Sequence, residues 1–296
     1  MVGPTATGKS EIALEVARRL GDVEIVTVDS MQVYRGMDVG TAKPTAKQRS
    51  EIPHHLLDLA DPCESWSVAQ WAAEARRAVA GIEARGHRAL LVGGTGLYFQ
   101  ALVDGLQPPG VYPEVKAELD NDPDTAALHA RLAMLDPVAA GRMEPSNRRR
   151  VVRALEVSLG SGRSFSSFGP GIAAFPKTSW NLAGVWLPRR VVAERIESRL
   201  DRMIAEGLIE EVERLSASPA GLSRTARQAL GYREVLSHLE HGTPVEEAIA
   251  EAKRRTKAFA RRQRVWWRRD PRIRWFGAAD NPFAVISPLL GQWNPP

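Results

Sequence analysis

The chain has 296 residues, 44% of them hydrophobic and 25% charged, with 40 Lys and Arg against 35 Asp and Glu. That suits a soluble globular protein with one large domain, or a domain carrying a substantial insertion. No run of about 18 apolar residues exists and no charged-then-apolar leader opens the chain, so a membrane span and a signal peptide are not expected. Cys63 stands alone, which excludes an internal disulfide and a cysteine zinc site and fits a reducing cytoplasm.

The chain opens on "VGPTATGKS", Val2 to Ser10, which spells G-x-x-x-x-G-K-[ST]. Gly3 and Gly8 allow bends that aim backbone N–H groups at phosphate oxygens, Lys9 adds a cation, and the Ser10 hydroxyl suits Mg²⁺. Gly3, Pro4, Thr5, Ala6, Thr7, Gly8, Lys9 and Ser10 are therefore the candidate diphosphate cradle. A strand is expected before such a loop. Only Met1 and Val2 precede it, so the first strand is very short or the start is trimmed.

Ser10 to Gly21 has helical periodicity and a terminal glycine. Glu24 to Ser30 reads as a buried strand, with Asp29 at its end. That carboxylate could ligate Mg²⁺, accept a proton or cap a helix, and the residues alone leave the three open. His54 and His55 are adjacent, a spacing that favours a structural or substrate-contact role over metal binding. A helix is expected over Ser67 to Gly86. "RALLVGGTG" then reads as a strand breaking into a glycine turn at Gly93. A hydrolytic site wants an acid at that strand's end. The glycines and Thr95 there favour a transfer with diphosphate as leaving group or anchor over ATP hydrolysis. Strands alternating with helices imply a parallel sheet covered by helices, an α/β fold with its sites at the carboxyl ends of the strands.

From Val111 to Phe168 the strands give way to a helical insertion of three helices. A basic knot, "NRRRVVR", lies at Asn147 to Arg153. A strand returns over Trp180 to Leu187, one long helix is expected over Arg189 to Leu215, and another over Pro244 to Arg269. The run from Lys253 to Arg274 holds eleven Lys or Arg and one acid, a footprint for nucleic acid or a solvated helix face. Arg254, Lys257, Arg261, Arg264 and Arg268 recur at helical spacing. Phe259, Gln263 and Trp266 share another face, expected to pack inward, which leaves Trp267 as the candidate for base stacking.

"GPTATGKS", "DSMQVYRGMDVGTAKP", "PHHLLD", "GGTGLYFQALVDGL", "RRVVRALEV", "QALGYREV" and "TKAFARRQRVWWRRD" occur in this order. Together they resemble the tRNA dimethylallyltransferases, over Val2 to about Asp270. The resemblance implies a P-loop NTPase-like core over residues 1–110 and 180–296, with a helical insertion over 111–179 that grips the anticodon stem. It implies transfer of a dimethylallyl group from dimethylallyl diphosphate to N6 of adenosine 37, in tRNAs reading codons that begin with U, with Mg²⁺ as cofactor. Asp29 matches the family's base, Thr5 the loop threonine at the reacting centre, and Ser10 the Mg²⁺ ligand. Asp29, Ser30, Met31 and Gln32 would read the flipped adenine, and Thr95 would touch tRNA. Arg149, Arg150, Val151, Val152 and Arg153 match a second tRNA segment, with Arg149 where the family usually has Gln. Arg261 and Arg264 extend the tRNA surface and Arg233 is a further diphosphate contact. A cytoplasmic monomer of bacterial type, without the zinc finger of eukaryotic relatives, is expected. The alternatives are an adenylate isopentenyltransferase, a small-molecule P-loop kinase and a non-catalytic RNA-binding protein.

Overall fold

The computed structural model describes residues 1–106, 108–169 and 171–293. They form two compact units, one of Met1–Val103 and the chain from Lys177 onward, the other of Asp104–Pro176. In chain order the first unit opens with helix α1 (Lys9–Leu20), strand β1 (Val23–Val28), α2 (Ala46–Glu51), β2 (His54–His55), α3 (Val68–Ala84), β3 (Arg88–Gly93) and α4 (Gly96–Val103). The second holds α5 (Pro113–Asn121), α6 (Thr125–Leu135), α7 (Pro137–Ala140) and α8 (Arg148–Ser161). The first resumes with β4 (Ala183–Trp186), α9 (Arg189–Ala205), α10 (Leu208–Ser216), α11 (Tyr232–His241), α12 (Val245–Trp267), β5 (Arg274–Gly277) and α13 (Ile286–Trp293).

All strand pairings are parallel. β1 lies between β2 and β3, in register from Val23 opposite Arg88 to Val28 opposite Gly93, and β4 pairs with β5. Val2 joins the two sheets. It forms parallel bridges to Gly93 and Gly184, donating to the Ala183 carbonyl at 2.8 Å and accepting from Val185 N–H at 2.9 Å. The order is thus β2-β1-β3-Val2-β4-β5, with Val2 in the place where a strand leading into the loop is expected. Every residue of β1 is buried, as a parallel sheet covered on both faces requires. Ile12 and Val16 of α1 pack with Ile25, Val92, Val185, Phe276 and Leu289 in one core cluster. The second unit has its own core of Leu119, Leu128, Leu132, Val151 and Leu155.

Two expected helices are broken. The Arg189–Leu215 segment splits at Gly207, whose φ of +95° leaves the right-handed ladder between α9 and α10. The second of the three helices expected in the insertion stops at Asp136, which caps α7 by accepting from Ala139 N–H at 2.9 Å, with Pro137 as the next residue. Trp267 is also corrected. It is 1% exposed and stacks edge-on against Phe99 at 5.3 Å, so it packs the core and offers no face to a base.

Candidate active site

The glycine-rich loop leaves the sheet at Val2, between β3 and β4. A Cβ on Gly3 would lie 2.4 Å from the Val185 carbonyl oxygen, and Gly8 has φ +83° with Pro282 pressed against it, so glycine is required at both ends of the loop. Between them Ala6 holds a left-handed φ of +62°, a conformation that costs energy in a non-glycine residue and recurs at ligand clamps. The Pro4 carbonyl accepts from Thr7 Oγ1 at 2.9 Å and from Lys9 Nζ at 2.6 Å, so the loop curls over its own lysine. α1 begins at Lys9, directing unpaired N–H groups and the positive end of its dipole to the loop.

Burial pushes Lys9 down to about 7, reinforced by the charge of Arg199 and opposed by Asp29 and Glu11. The Arg199 guanidinium is likewise lowered by burial, with Asp29 opposing, and its Nε is buried without a hydrogen-bond partner. Arg195, one turn earlier on α9, donates to the Ala6 carbonyl at 3.0 Å and to Glu11 at 3.2 Å. A buried lysine, a half-buried arginine whose Nε is an unpaired buried donor, and a helix N-terminus together form a site for a polyanion. Motif reading missed Arg195 and Arg199. Their spacing of four on a helix was the only signal, and it acquires meaning only once α9 packs on the loop.

Asp29 follows β1 directly. Its Oδ1 accepts from Met31 N–H at 2.8 Å and Gln32 N–H at 3.3 Å, while Oδ2 has no partner among the described residues. The carboxylate therefore caps a turn with one oxygen and keeps the other for chemistry. Thr95 ties the end of β3 to that turn, accepting at Oγ1 from Ser30 N–H at 3.3 Å. Gln32 donates its amide to the carbonyls of Thr41 at 2.9 Å and Ala42 at 3.2 Å, and its oxygen has no partner among the described residues. The loop it grips is fixed by Glu211, buried in α10. That carboxylate accepts from the N–H groups of Asp38, Val39 and Gly40 at 2.8 to 2.9 Å and from the Tyr232 hydroxyl at 2.6 Å.

Gln263 joins the phosphate loop to the glycine turn. Its Oε1 accepts from Thr5 N–H at 2.7 Å and its Nε2 donates to the Gly94 carbonyl at 3.0 Å. Trp266 lies against Gly96, where a Cβ would come 1.9 Å from the indole nitrogen. One face of α12 thus covers residues 94–99. Sequence reading placed Gln263 inward but assigned it no role, because its partners lie 258 and 169 residues away.

Several expected contacts fall elsewhere. Val151 and Val152 are 0% and 4% exposed in the core of the second unit, so their side chains cannot reach RNA; helical geometry turns only part of a five-residue run outward. Arg153 is held by the carbonyls of Pro109 and Gly110 and by Glu156. Arg149 and Arg150 are exposed. Arg233 is exposed on α11, with no hydrogen bond or ion pair to the phosphate loop. On α12, Arg254 and Lys257 are paired with Glu251 and Glu197, Arg264 donates to the Leu187 carbonyl, and Arg261 is exposed.

The residues fit a Mg²⁺ ion bound chiefly through phosphate. Ser10 is exposed at the head of α1 and Asp29 keeps one oxygen free, both hard ligands. Among the described residues no group of three or more His, Cys, Asp or Glu could hold a metal by itself. Magnesium commonly keeps several waters and takes one or two protein oxygens beside substrate phosphates.

The IPP transferase family model matches residues 32–270, and the Isopentenyl transferase model matches residues 1–58. The tRNA dimethylallyltransferase of Geobacter metallireducens is 44% identical over 298 residues, 99% of this chain and 96% of that protein. That of Streptomyces coelicolor is 47% identical over 95% of this chain and 90% of its own length. Among solved structures, a full-length tRNA isopentenylpyrophosphate transferase from Bacillus halodurans superposes with a TM-score of 0.70, at 36% identity over 98% of this chain and 94% of that one. A eukaryotic dimethylallyltransferase acting on tRNA gives 0.75, at 25% identity over 94% and 73%.

Proposed function

The chain belongs to the family of the IPP transferases and tRNA dimethylallyltransferases, and on that footing we propose that it moves a dimethylallyl group from dimethylallyl diphosphate to N6 of adenosine 37 in tRNA. The observation that carries this reading is the free Oδ2 of Asp29 together with the phosphate loop's buried Lys9 and the half-buried Arg199 of α9, cations that await a polyanion. The allylic C–O bond breaks with its electron pair going to diphosphate. Lys9, Arg199 and the loop N–H groups stabilise the charge that develops there, and being preorganised they need not reorient as it forms. A bond forms between the allylic carbon and N6, and N6 gives its proton to Asp29 Oδ2. Bound Mg²⁺, held by Ser10 and the diphosphate, would add charge neutralisation at the leaving group.

Adenosine 37 must leave its stack to reach a site walled by backbone. The free oxygen of Gln32 suits the exocyclic amine of adenine, and Ser30, Met31 and Thr95 line the same turn. Arg149, Arg150 and Arg261 supply exposed charge for the tRNA backbone. No helix among the described residues is long and apolar enough to cross a membrane. A tRNA substrate and one lone cysteine suit a cytoplasmic enzyme, acting as a monomer.

The deciding experiment supplies labelled dimethylallyl diphosphate and Mg²⁺ with an anticodon stem-loop bearing A36-A37-A38, and AMP in parallel. Label on A37 is expected. Label on AMP alone would make the protein an adenylate isopentenyltransferase, and label on neither would remove the prenyl-transfer reading.

A further inference from the structure

Trp186 is the last residue of β4, one position beyond the Val185 carbonyl that abuts Gly3 of the phosphate loop. It is 40% exposed, unlike the buried residues that precede it in the strand. Its indole is fixed in place. The nitrogen edge lies over Gly277 of β5, where a Cβ would come within 2.6 Å of Nε1. The Arg264 guanidinium sits 5.4 Å from the ring centroid and donates to the Leu187 carbonyl. Arg189 and Arg268 both act on Arg264 as neighbouring like charges. No carboxylate among the described residues forms an ion pair with Arg189, Arg264 or Arg268. Several other cations of α9 and α12 are neutralised, among them Arg190, Arg195, Lys253, Arg254 and Lys257.

A part-exposed aromatic ring with one guanidinium over it, two more beside that guanidinium and no acid to balance them is an unusual surface for mere solvation. Packing alone would favour covering the indole, and charge alone would favour carboxylates among three arginines. We infer that Trp186, with Arg189, Arg264 and Arg268, forms a nucleotide platform beside the phosphate loop, where an unpaired base of the RNA substrate stacks and its flanking phosphates meet the arginines. Every base has a π-face, so the contact tolerates sequence, and Arg264 stacked on the indole extends the platform by cation–π contact. The inference rests on the RNA-modifying reading, and it gives Trp186 the stacking role that Trp267, in the core, cannot fill.

The test measures equilibrium binding of the anticodon stem-loop over a salt series for wild type, Trp186→Ala, Trp186→Phe and the double variant Arg189→Ala/Arg268→Ala, with dimethylallyl diphosphate affinity and melting temperature beside each. Trp186→Ala is expected to weaken stem-loop binding about tenfold or more, and Trp186→Phe, which keeps a ring, to restore most of it. The double variant should lower the slope of log K against log salt by roughly 1 to 2. Donor affinity should stay at the wild-type value in all three. Wild-type stem-loop affinity in Trp186→Ala, with only the melting temperature lowered, would reduce the indole to a cover for Gly277 and overturn the platform alone. Lost binding to phosphatidylserine vesicles with stem-loop binding intact would assign the patch to an anionic surface and likewise overturn it. A wild-type protein that bound no stem-loop would overturn the platform and the RNA-modifying reading together.

Discussion

Asp29 holds its own turn with one oxygen and leaves the other bare, and that division of labour can be tested by one-atom chemistry. Asn caps turns as well as Asp does but cannot take a proton from an amine. Asp29→Asn should therefore keep donor and stem-loop affinity within a few-fold and lower single-turnover transfer by about 10² to 10⁴; near-wild-type turnover would leave Asp29 as a cap only. Lys9 gives a pH signature. Its folded value of about 7 rises when a diphosphate arrives, because an adjacent anion favours the charged form. Binding then takes up a proton above pH 7, and donor affinity should fall as pH rises from 7 to 9. Calorimetry in buffers of different ionisation enthalpy would detect the uptake, and Lys9→Met should abolish it. Gln263→Glu keeps an acceptor for Thr5 N–H but loses the donor to Gly94 and adds charge near the diphosphate. Transfer should drop roughly a hundredfold, as misplacement of a reacting group does, with melting little changed. Asp29 and Lys9 were legible in the sequence because their motifs are local. Arg199 and Gln263 were not, since nothing in a charged helical run distinguishes a residue whose partner lies far away in the chain.

At the level of elements, the strong periodicities came through and the short or broken ones did not. α1, α3 and α12 carry apolar residues at helical spacing between recognisable ends, and β1 and β3 are β-branched or aliphatic runs. β2 is two residues long and β5 four, too short to show a period. The break between α9 and α10 depends on the backbone angle of Gly207, and glycine also occurs inside helices. Gly207→Ala should cost about 1 to 2 kcal/mol in urea unfolding, the penalty for a Cβ in the left-handed region, and Gly207→Asn less. His54 and His55 show the same division. The dipeptide spoke against metal binding, but the partner was not visible in it. His55 meets Glu24, which Arg85 and His87 also hold, and Arg85 chiefly draws that buried carboxyl down to about 2. A carboxyl lowered on folding stabilises the native state above its unfolded value near 4.5, and the contribution fades as pH falls through 2. Glu24→Gln should flatten the acid limb of a stability profile between those values.

For the molecule as a whole, the α/β character and the helical interruption were legible because hydrophobic period changes along the chain. The distribution of usable charge was not. The basic C-terminal run looked like one stripe, yet Arg254 and Lys257 are neutralised by acids and Arg264 is anchored, still charged, on a carbonyl and an indole, while Arg261 and Arg268 are exposed. The order β2-β1-β3-Val2-β4-β5 has a mechanical consequence. The backbone of Met1 and Val2 lies between β3 and β4, bonded to Leu91 and Gly93 on one side and to Ala183 and Val185 on the other. It runs straight into the phosphate loop at Gly3, so the middle of the sheet shares in whatever the loop holds. The Val185 amide, which donates to Val2, lies at the root of that loop. A diphosphate clasped there should damp local opening and slow deuterium exchange of this amide, making one backbone proton a reporter of occupancy in the site above it.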